Sequence, residues 1–200
     1  MHFFLKKGPV FFDFEYINIE FGTPDSVDIS NPLQVLLFYK FFNKIIVLDN
    51  RLNLISSHNI PLNTELIANA SDGKIWIYNN NQNTLSLYNF SSQKTEITSN
   101  PLFDIIINLK GDLNSALAIT NKQELLTFNY VASKTHTQKT TTSLLPISLH
   151  SSYVVKNDQL LFNKNVVFKD LANITAFEVV NNTLYYIKEH TIYKTPILSK

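Results

Sequence analysis

A spacing of forty residues runs through the middle of this chain, and few folds can satisfy it. Shifted by forty, Leu85, Leu87, Tyr88, Asn89, Phe90, Lys94 and Thr95 meet Leu125, Thr127, Phe128, Asn129, Tyr130, Lys134 and Thr135. The shared pattern is aromatic-Asn-aromatic, three residues, then Lys-Thr. Ser71-Asp72 falls on Gly111-Asp112. Shifted the other way, Val35, Leu36, Leu37 and Phe38 meet Ile75, Trp76, Ile77 and Tyr78, and Ile45, Val47 and Leu48 meet Leu85, Leu87 and Tyr88. None of the three copies needs a gap.

Within a copy the segments are short. Ile75 to Tyr78 is continuously apolar and ends abruptly at the polar run Asn79 to Asn83. Four or five apolar residues between turn residues fit a strand buried on both faces and are too short for a helix. Asp72-Gly73 supplies a hairpin turn, because Gly accepts positive φ without steric cost. Four strands per unit at a period near forty is the signature of a β-propeller blade. The reading is therefore an all-β, propeller-like array of about five four-stranded or shortened blades, with an open or incomplete ring.

In chain order, 10–14 and 15–21 read as two leading strands, which favours a chain entering mid-blade over an independent hairpin. Full copies follow at about 25–58, 65–98 and 105–138. The first has strands near 25–29, 34–39, 44–49 and 54–58, with Pro32 in a turn where its missing N–H costs nothing. Polar fourth strands at 95–98 and 135–138 contrast with apolar second strands, as solvent-facing rims require. After the linker Thr140 to Ser143 the period contracts to 24, aligning Leu160-Leu161-Phe162 with Leu184-Tyr185-Tyr186. These are short repeats, about 145–170 and 174–195, with strands at 153–156, 159–163 and 165–169, then 177–180, 183–188 and 191–194. The whole, 1–200, reads as a single propeller-like domain. Trp76, Leu87 and Phe128 are assigned to blade-to-blade packing, and Phe11, Phe12 and Phe14 to an uncovered apolar face through which an open arc associates.

The composition narrows the function classes. The chain has four Gly but 24 Asn, so Asn takes over turn positions needing the left-handed region. Net charge is +1, with no basic stripe, which argues against a nucleic-acid partner. The absence of Cys excludes disulfides and thiolate chemistry. No segment approaches a membrane-spanning apolar run.

Catalytic motifs are missing. His2, His58, His136, His150 and His190 show no metal-ligand spacing, and His58 and His136 fall on solvated fourth strands. Gly8, Gly22, Gly73 and Gly111 are too scattered for a phosphate loop, and no nucleophile elbow occurs. Asp25, Asp28, Asp72 and Asp112 sit in or near turns, and repeat-equivalent Asp72 and Asp112 read as turn chemistry. Sequons at Asn69, Asn89, Asn173 and Asn181 match the chance level for so Asn-rich a chain. Glu65, Asn69, Asp104 and Asn108 lie on or beside innermost strands, where a channel metal site of a propeller hydrolase would assemble. No catalytic, cofactor-binding or metal residue is assigned.

The apolar strand, Asn-rich turn and aromatic-Asn-aromatic run is similar to the NHL and WD-type propeller superfamily, although the WD-type Gly-His and Trp-Asp marks are absent. More specifically, SVDISNPLQVLLFYKFFNKIIVLDNRLN (residues 26–53) and DGKIWIYNNNQNTLSLYN (residues 72–89) resemble an uncharacterised family of bacterial cell-envelope propellers. That resemblance implies an export signal and earlier blades upstream, hence a truncated start, and it brings no catalytic residues. An envelope or periplasmic location follows if a signal precedes Met1, and a cytoplasmic one if Met1 is the true start. The expectation is a non-enzymatic interaction or scaffold module with a protein partner. The alternatives are a propeller hydrolase or lactonase with a channel metal, and a glycan- or peptide-binding propeller. Three or more carboxylate and amide groups converging on a channel would separate the enzyme from the module.

Overall fold

The computed structural model describes residues 16–31, 33–71, 73–140, 145, 153–180, 182–188 and 191–197. It is all-β, with five small antiparallel sheets arranged in a ring as a five-bladed β-propeller and no helix among the described residues. The first blade comprises β1 (Ser26–Asp28), β2 (Gln34–Tyr39), β3 (Lys44–Asp49) and β4 (Leu54–Asn59). The second comprises β5 (Thr64–Ser71), β6 (Lys74–Asn79), β7 (Thr84–Asn89) and β8 (Lys94–Thr98). The third comprises β9 (Ile106–Gly111), β10 (Ser115–Thr120), β11 (Glu124–Asn129) and β12 (Lys134–Lys139). The last two blades have three strands each: β13 (Tyr153–Lys156), β14 (Gln159–Phe162) and β15 (Asn165–Phe168), then β16 (Ile174–Val180), β17 (Thr183–Lys188) and β18 (Thr191–Pro196).

Strands within each blade follow in sequence order, and in the first two blades the forty-residue period is also a register. Leu36 pairs with Val47 as Trp76 pairs with Leu87, whereas Ala116 pairs with Phe128, one position beyond the repeat equivalent Thr127. The first strands approach one another, β1 against β5 and β5 against β9, so they line the inside. The fourth strands lie outside; β8 and β12 are largely exposed, as their polarity foretold.

The core lies between blades. Leu36, Phe38, Ile45 and Val47 of the first blade pack on Ile67, Ile75, Ile77, Tyr88 and Phe90 of the second. Alternate residues of the second blade turn the other way, and Trp76, Leu87 and Phe128 are buried together in the cluster joining it to the third. That is the packing expected of them. A large side chain buried in this way contributes about 1.5–3 kcal/mol.

The N-terminal expectation needs correction. The leading strand assigned to 15–21 is absent over its described part, since residues 16–21 are coil and turn. Asn18 Oδ1 accepts from the Phe21 amide at 2.8 Å, a local bond that curls the chain away from an extended ladder. Phe21 and Tyr16 pack on the face of the first blade that carries Val35, Leu37 and Tyr39, and both are partly buried there. Under this cover burial pushes the Tyr39 hydroxyl up to about 12. The strand at 10–14, together with Phe3, Phe4, Phe11, Phe12, Phe14, Pro32 and Asp72, lies outside the described residues.

Candidate interaction face

In an antiparallel blade, the turn between its second and third strands and the connection to the next blade lie at the same end. Turns at residues 40–43, 80–83 and 121–123 therefore share one end of the propeller with the connections at 60–63 and 99–105. Each turn ends in the left-handed region, at Asn43 (φ 48), Asn83 (φ 51) and Gln123 (φ 59), spaced by the repeat. The carbonyls of these three residues accept the amides of Ile60, Leu102 and Thr140 at 2.9, 2.7 and 2.9 Å, so one device fixes where every fourth strand leaves.

Side chains join these loops into one surface. Asn79 Nδ2 donates to the Leu62 carbonyl at 3.4 Å, and Asn83 Nδ2 donates to the Leu102 carbonyl at 2.6 Å while its Oδ1 accepts from the Tyr78 hydroxyl at 2.6 Å. Lys40 pairs with Glu65, and Lys122 with Asp104, both at 2.6 Å. The bond from Asp104 holds the Lys122 ammonium above the ordinary lysine range. Between these pairs stand Phe41, Leu62 and Phe103, exposed to 87, 70 and 96%. Phe42 beside them is partly withdrawn, its ring 5.2 Å from that of Phe41 and 5.0 Å from that of Phe21. Large apolar side chains held in water among fixed ion pairs have the composition of an interface: apolar anchors within a polar rim.

Phe103 also edges a groove of about 400 Å³ between the second and third blades. Its walls include Thr98, Pro101, Leu102, Val131 and Lys134, and Phe128 is at its floor. The opposite end of the propeller exposes Leu33, Leu113 and Tyr130, smaller or more polar groups than the two phenylalanines.

The innermost-strand residues singled out in the sequence do not form one site. Glu65 and Asp104 are at the end of the propeller that carries Phe41 and Phe103, each neutralised by a lysine. Asn69 lies toward the other end of β5 and is buried, and Asn108 is on β9. Among the described residues no three His, Cys, Asp or Glu side chains gather as a metal site.

Asp112 does perform turn chemistry, its Oδ1 accepting from the amides of Asn114 and Ser115 at 2.8 and 2.9 Å. Asp25 accepts the Lys40 amide at 2.8 Å. Asp28 also performs turn chemistry, its Oδ1 accepting the Ser30 amide at 2.8 Å, but it is buried at the end of β1 and its Oδ2 accepts the amide of Asn69 in the next blade as well. His136 is exposed as expected. His58 is instead half-buried, its ring 4.8 Å from that of Phe90, and burial lowers its pKa. His2, His150 and His190 lie outside the described residues.

No protein-family model matches this chain, and no curated protein sequence matches it. Solved structures do. A catalytically inactive virginiamycin B lyase from Staphylococcus aureus, crystallised with quinupristin, is 10% identical with a TM-score of 0.59, over 94% of this chain and 71% of that one. Hsv2 of Kluyveromyces lactis is 11% identical with a TM-score of 0.54, over 84% of this chain and 58% of its own. BamB from Moraxella catarrhalis is 14% identical with a TM-score of 0.48, over 90% and 59%. This chain thus spans less than two thirds of the Hsv2 and BamB chains. At such identities the likeness carries the β-propeller fold and nothing further.

Proposed function

We propose that this chain is a non-enzymatic protein-interaction module that binds its partner through the loop face of Phe41, Leu62 and Phe103. The observation that carries this reading is the near-complete exposure of two phenylalanines on loops that hydrogen bonds and ion pairs hold in place. Rigid loops reduce the ordering cost of binding, and aromatic anchors supply most of the energy at protein interfaces. The resemblance of residues 26–53 and 72–89 to bacterial envelope propellers supports an envelope setting. The likeness to a lyase supports no enzymatic reading, because propellers of one shape serve many functions.

Lysine-reactive cross-linking tests the proposal, since Lys40 and Lys122 flank the apolar anchors. A partner of this face cross-links at those two lysines. It is lost in a Phe41→Ser/Phe103→Ser variant that melts like the parent. A partner retained by that variant, or cross-linked only at the far end of the propeller, overturns the reading.

A further inference from the structure

Three buried side-chain oxygens lack a hydrogen-bond partner among the described residues, and their residues belong to one corner of the fold, where the β1–β2 turn of the first blade and the end of β5 lie at the same end of the propeller. They are Ser30 Oγ, Gln34 Oε1 and Asn69 Oδ1. Their neighbour Asp28 is 5% exposed and Asn69 is 7% exposed. Asp28 Oδ2 accepts the Asn69 amide at 2.9 Å, and its Oδ1 accepts the Ser30 amide at 2.8 Å. This corner is at the opposite end of the inner strands from the interaction face.

Strand alternation brings these groups onto facing surfaces. Asp28 pairs with Leu36, so it shares the face of Leu36, which packs on the second blade. Gln34 is two residues before Leu36 and points the same way. Asn69 is two residues beyond Ile67, which packs on the first blade, so its side chain faces Asp28 and Gln34. A carboxylate and two amide side chains thus lie on facing surfaces of two sheets, just beyond an apolar cluster, and Ser30 is tied to the carboxylate through its amide.

Their chemistry selects the occupant. A buried polar group without a partner is costly, and native interiors hold few of them. Ser30 Oγ can donate one bond, but the carboxylate and both amide oxygens only accept. Both bonds to Asp28 come from neutral amides, and none of the ion pairs among the described residues involves it. The corner therefore calls for positive charge. The three unpaired oxygens are closed off from a water-sized neighbour. A bare hard cation needs less room, because Ca²⁺ sits about 2.3–2.6 Å from its oxygen ligands and tolerates irregular geometry. Mg²⁺ keeps several waters and demands near-octahedral ligation, which this closed corner does not offer.

We propose that Asp28, Ser30, Gln34 and Asn69 bind a structural cation of the Ca²⁺ class that ties β1 to β5. With a single carboxylate the site is weak, with a dissociation constant of about 10⁻⁴–10⁻³ M.

Thermal melts and calorimetric titration of the whole chain with CaCl2 test this, beside MgCl2 and NaCl at matched ionic strength. At about 10 mM CaCl2 the melting midpoint rises by several degrees, through preferential binding to the folded state. Asp28→Asn removes the shift. Gln34→Glu adds a second carboxylate, lowers the stability of the calcium-free protein and tightens calcium binding about tenfold or more. An equal response to MgCl2, or a full calcium shift in Asp28→Asn, overturns the proposal. So does a melt indifferent to every cation, which is the behaviour of a corner left empty. Where Asp28→Asn does not fold, Gln34→Glu decides: unchanged calcium dependence rejects the site.

Discussion

The indole of Trp76 occupies the space that a side chain on Gly111 would need. A Cβ built on Gly111 would fall 2.9 Å from Trp76 Nε1 and 2.5 Å from the Asn69 carbonyl oxygen. Trp76 Nε1 donates to the neighbouring Asp112 carbonyl at 3.1 Å, so the ring is held against the third blade at both its edge and its face. A large residue on the second strand of one blade thus meets the smallest residue on the first strand of the next, where the preceding copy has Ser71 in place of Gly111.

Gly111→Ala therefore overpacks this contact and costs about 1–3 kcal/mol or more, because one neighbour is backbone and cannot turn aside. Trp76→Ala costs about 3–5 kcal/mol. In the double variant the cost of Gly111→Ala falls, since the indole is gone, and denaturant melts of the four proteins measure this coupling. Additive losses would show that the two residues do not share the space.

The turn asparagines separate backbone from side-chain effects. Asn83 and Gln123 occupy equivalent left-handed positions, but Asn83 also bonds the Tyr78 hydroxyl and the Leu102 carbonyl. Asn83→Ala is expected to cost about 1–3 kcal/mol more than Gln123→Ala, because it leaves these partners unpaired. Equal losses in urea melts would mean that only the backbone conformation matters there.

The loop face should be dispensable for folding. Phe41→Ser and Phe103→Ser remove exposed groups, so each changes stability by no more than about 0.5 kcal/mol. Apparent size in sedimentation is also unchanged, while capture of the partner is lost. A large drop in the melting midpoint would instead show that these rings pack within the fold.

His58 confers a dependence on pH. Its pKa is lowered from 6.5 by burial beside Phe90, so the unfolded chain takes up its proton at a higher pH than the folded one. Stability contributed here is complete above the unfolded value and is lost as pH falls below it, toward the lower folded value. Urea melts in this window should show a steeper acid loss for the parent than for His58→Phe, which does not titrate. Parallel pH profiles would assign the acid loss to other groups.

Much of the architecture was legible from neighbouring residues alone. Asn43, Asn83 and Gln123 recur at the repeat spacing because one residue per turn must enter the left-handed region. Asp49, Asn89 and Asn129 recur because a short acceptor must hold the next hairpin, taking amides of Arg51, Ser92 and Val131 at 2.8, 2.9 and 3.2 Å. The contracted repeats were also visible, through Leu160-Leu161-Phe162 and Leu184-Tyr185-Tyr186 at an offset of 24, and in the first of them Asn157-Asp158 and Asn163-Lys164, all with positive φ, close the two hairpins. Residues 16–21 misled because their apolar side chains imitate a strand, whereas Tyr16 and Phe21 cover a blade face and Ile17 and Ile19 stand in water.

What the sequence determined by itself is the order of strands, their burial pattern and the chemistry of each turn. All of these depend on residues a few positions apart, whose geometry a period of two or a left-handed residue sets. What only the tertiary structure decided is which residues meet between blades and which remain in water. Asp28 reads as a turn aspartate and is one, yet only the packing of β1 against β5 lets its second carboxylate oxygen reach the Asn69 amide, 41 positions on. Phe41 and Phe90 are both aromatic residues at turns that contain one Asn, yet one is exposed and the other buried. The difference arises from the end of the blade on which each turn emerges and from the neighbouring blade above it. Those are properties of the packed ring, and no local pattern along the chain carries them.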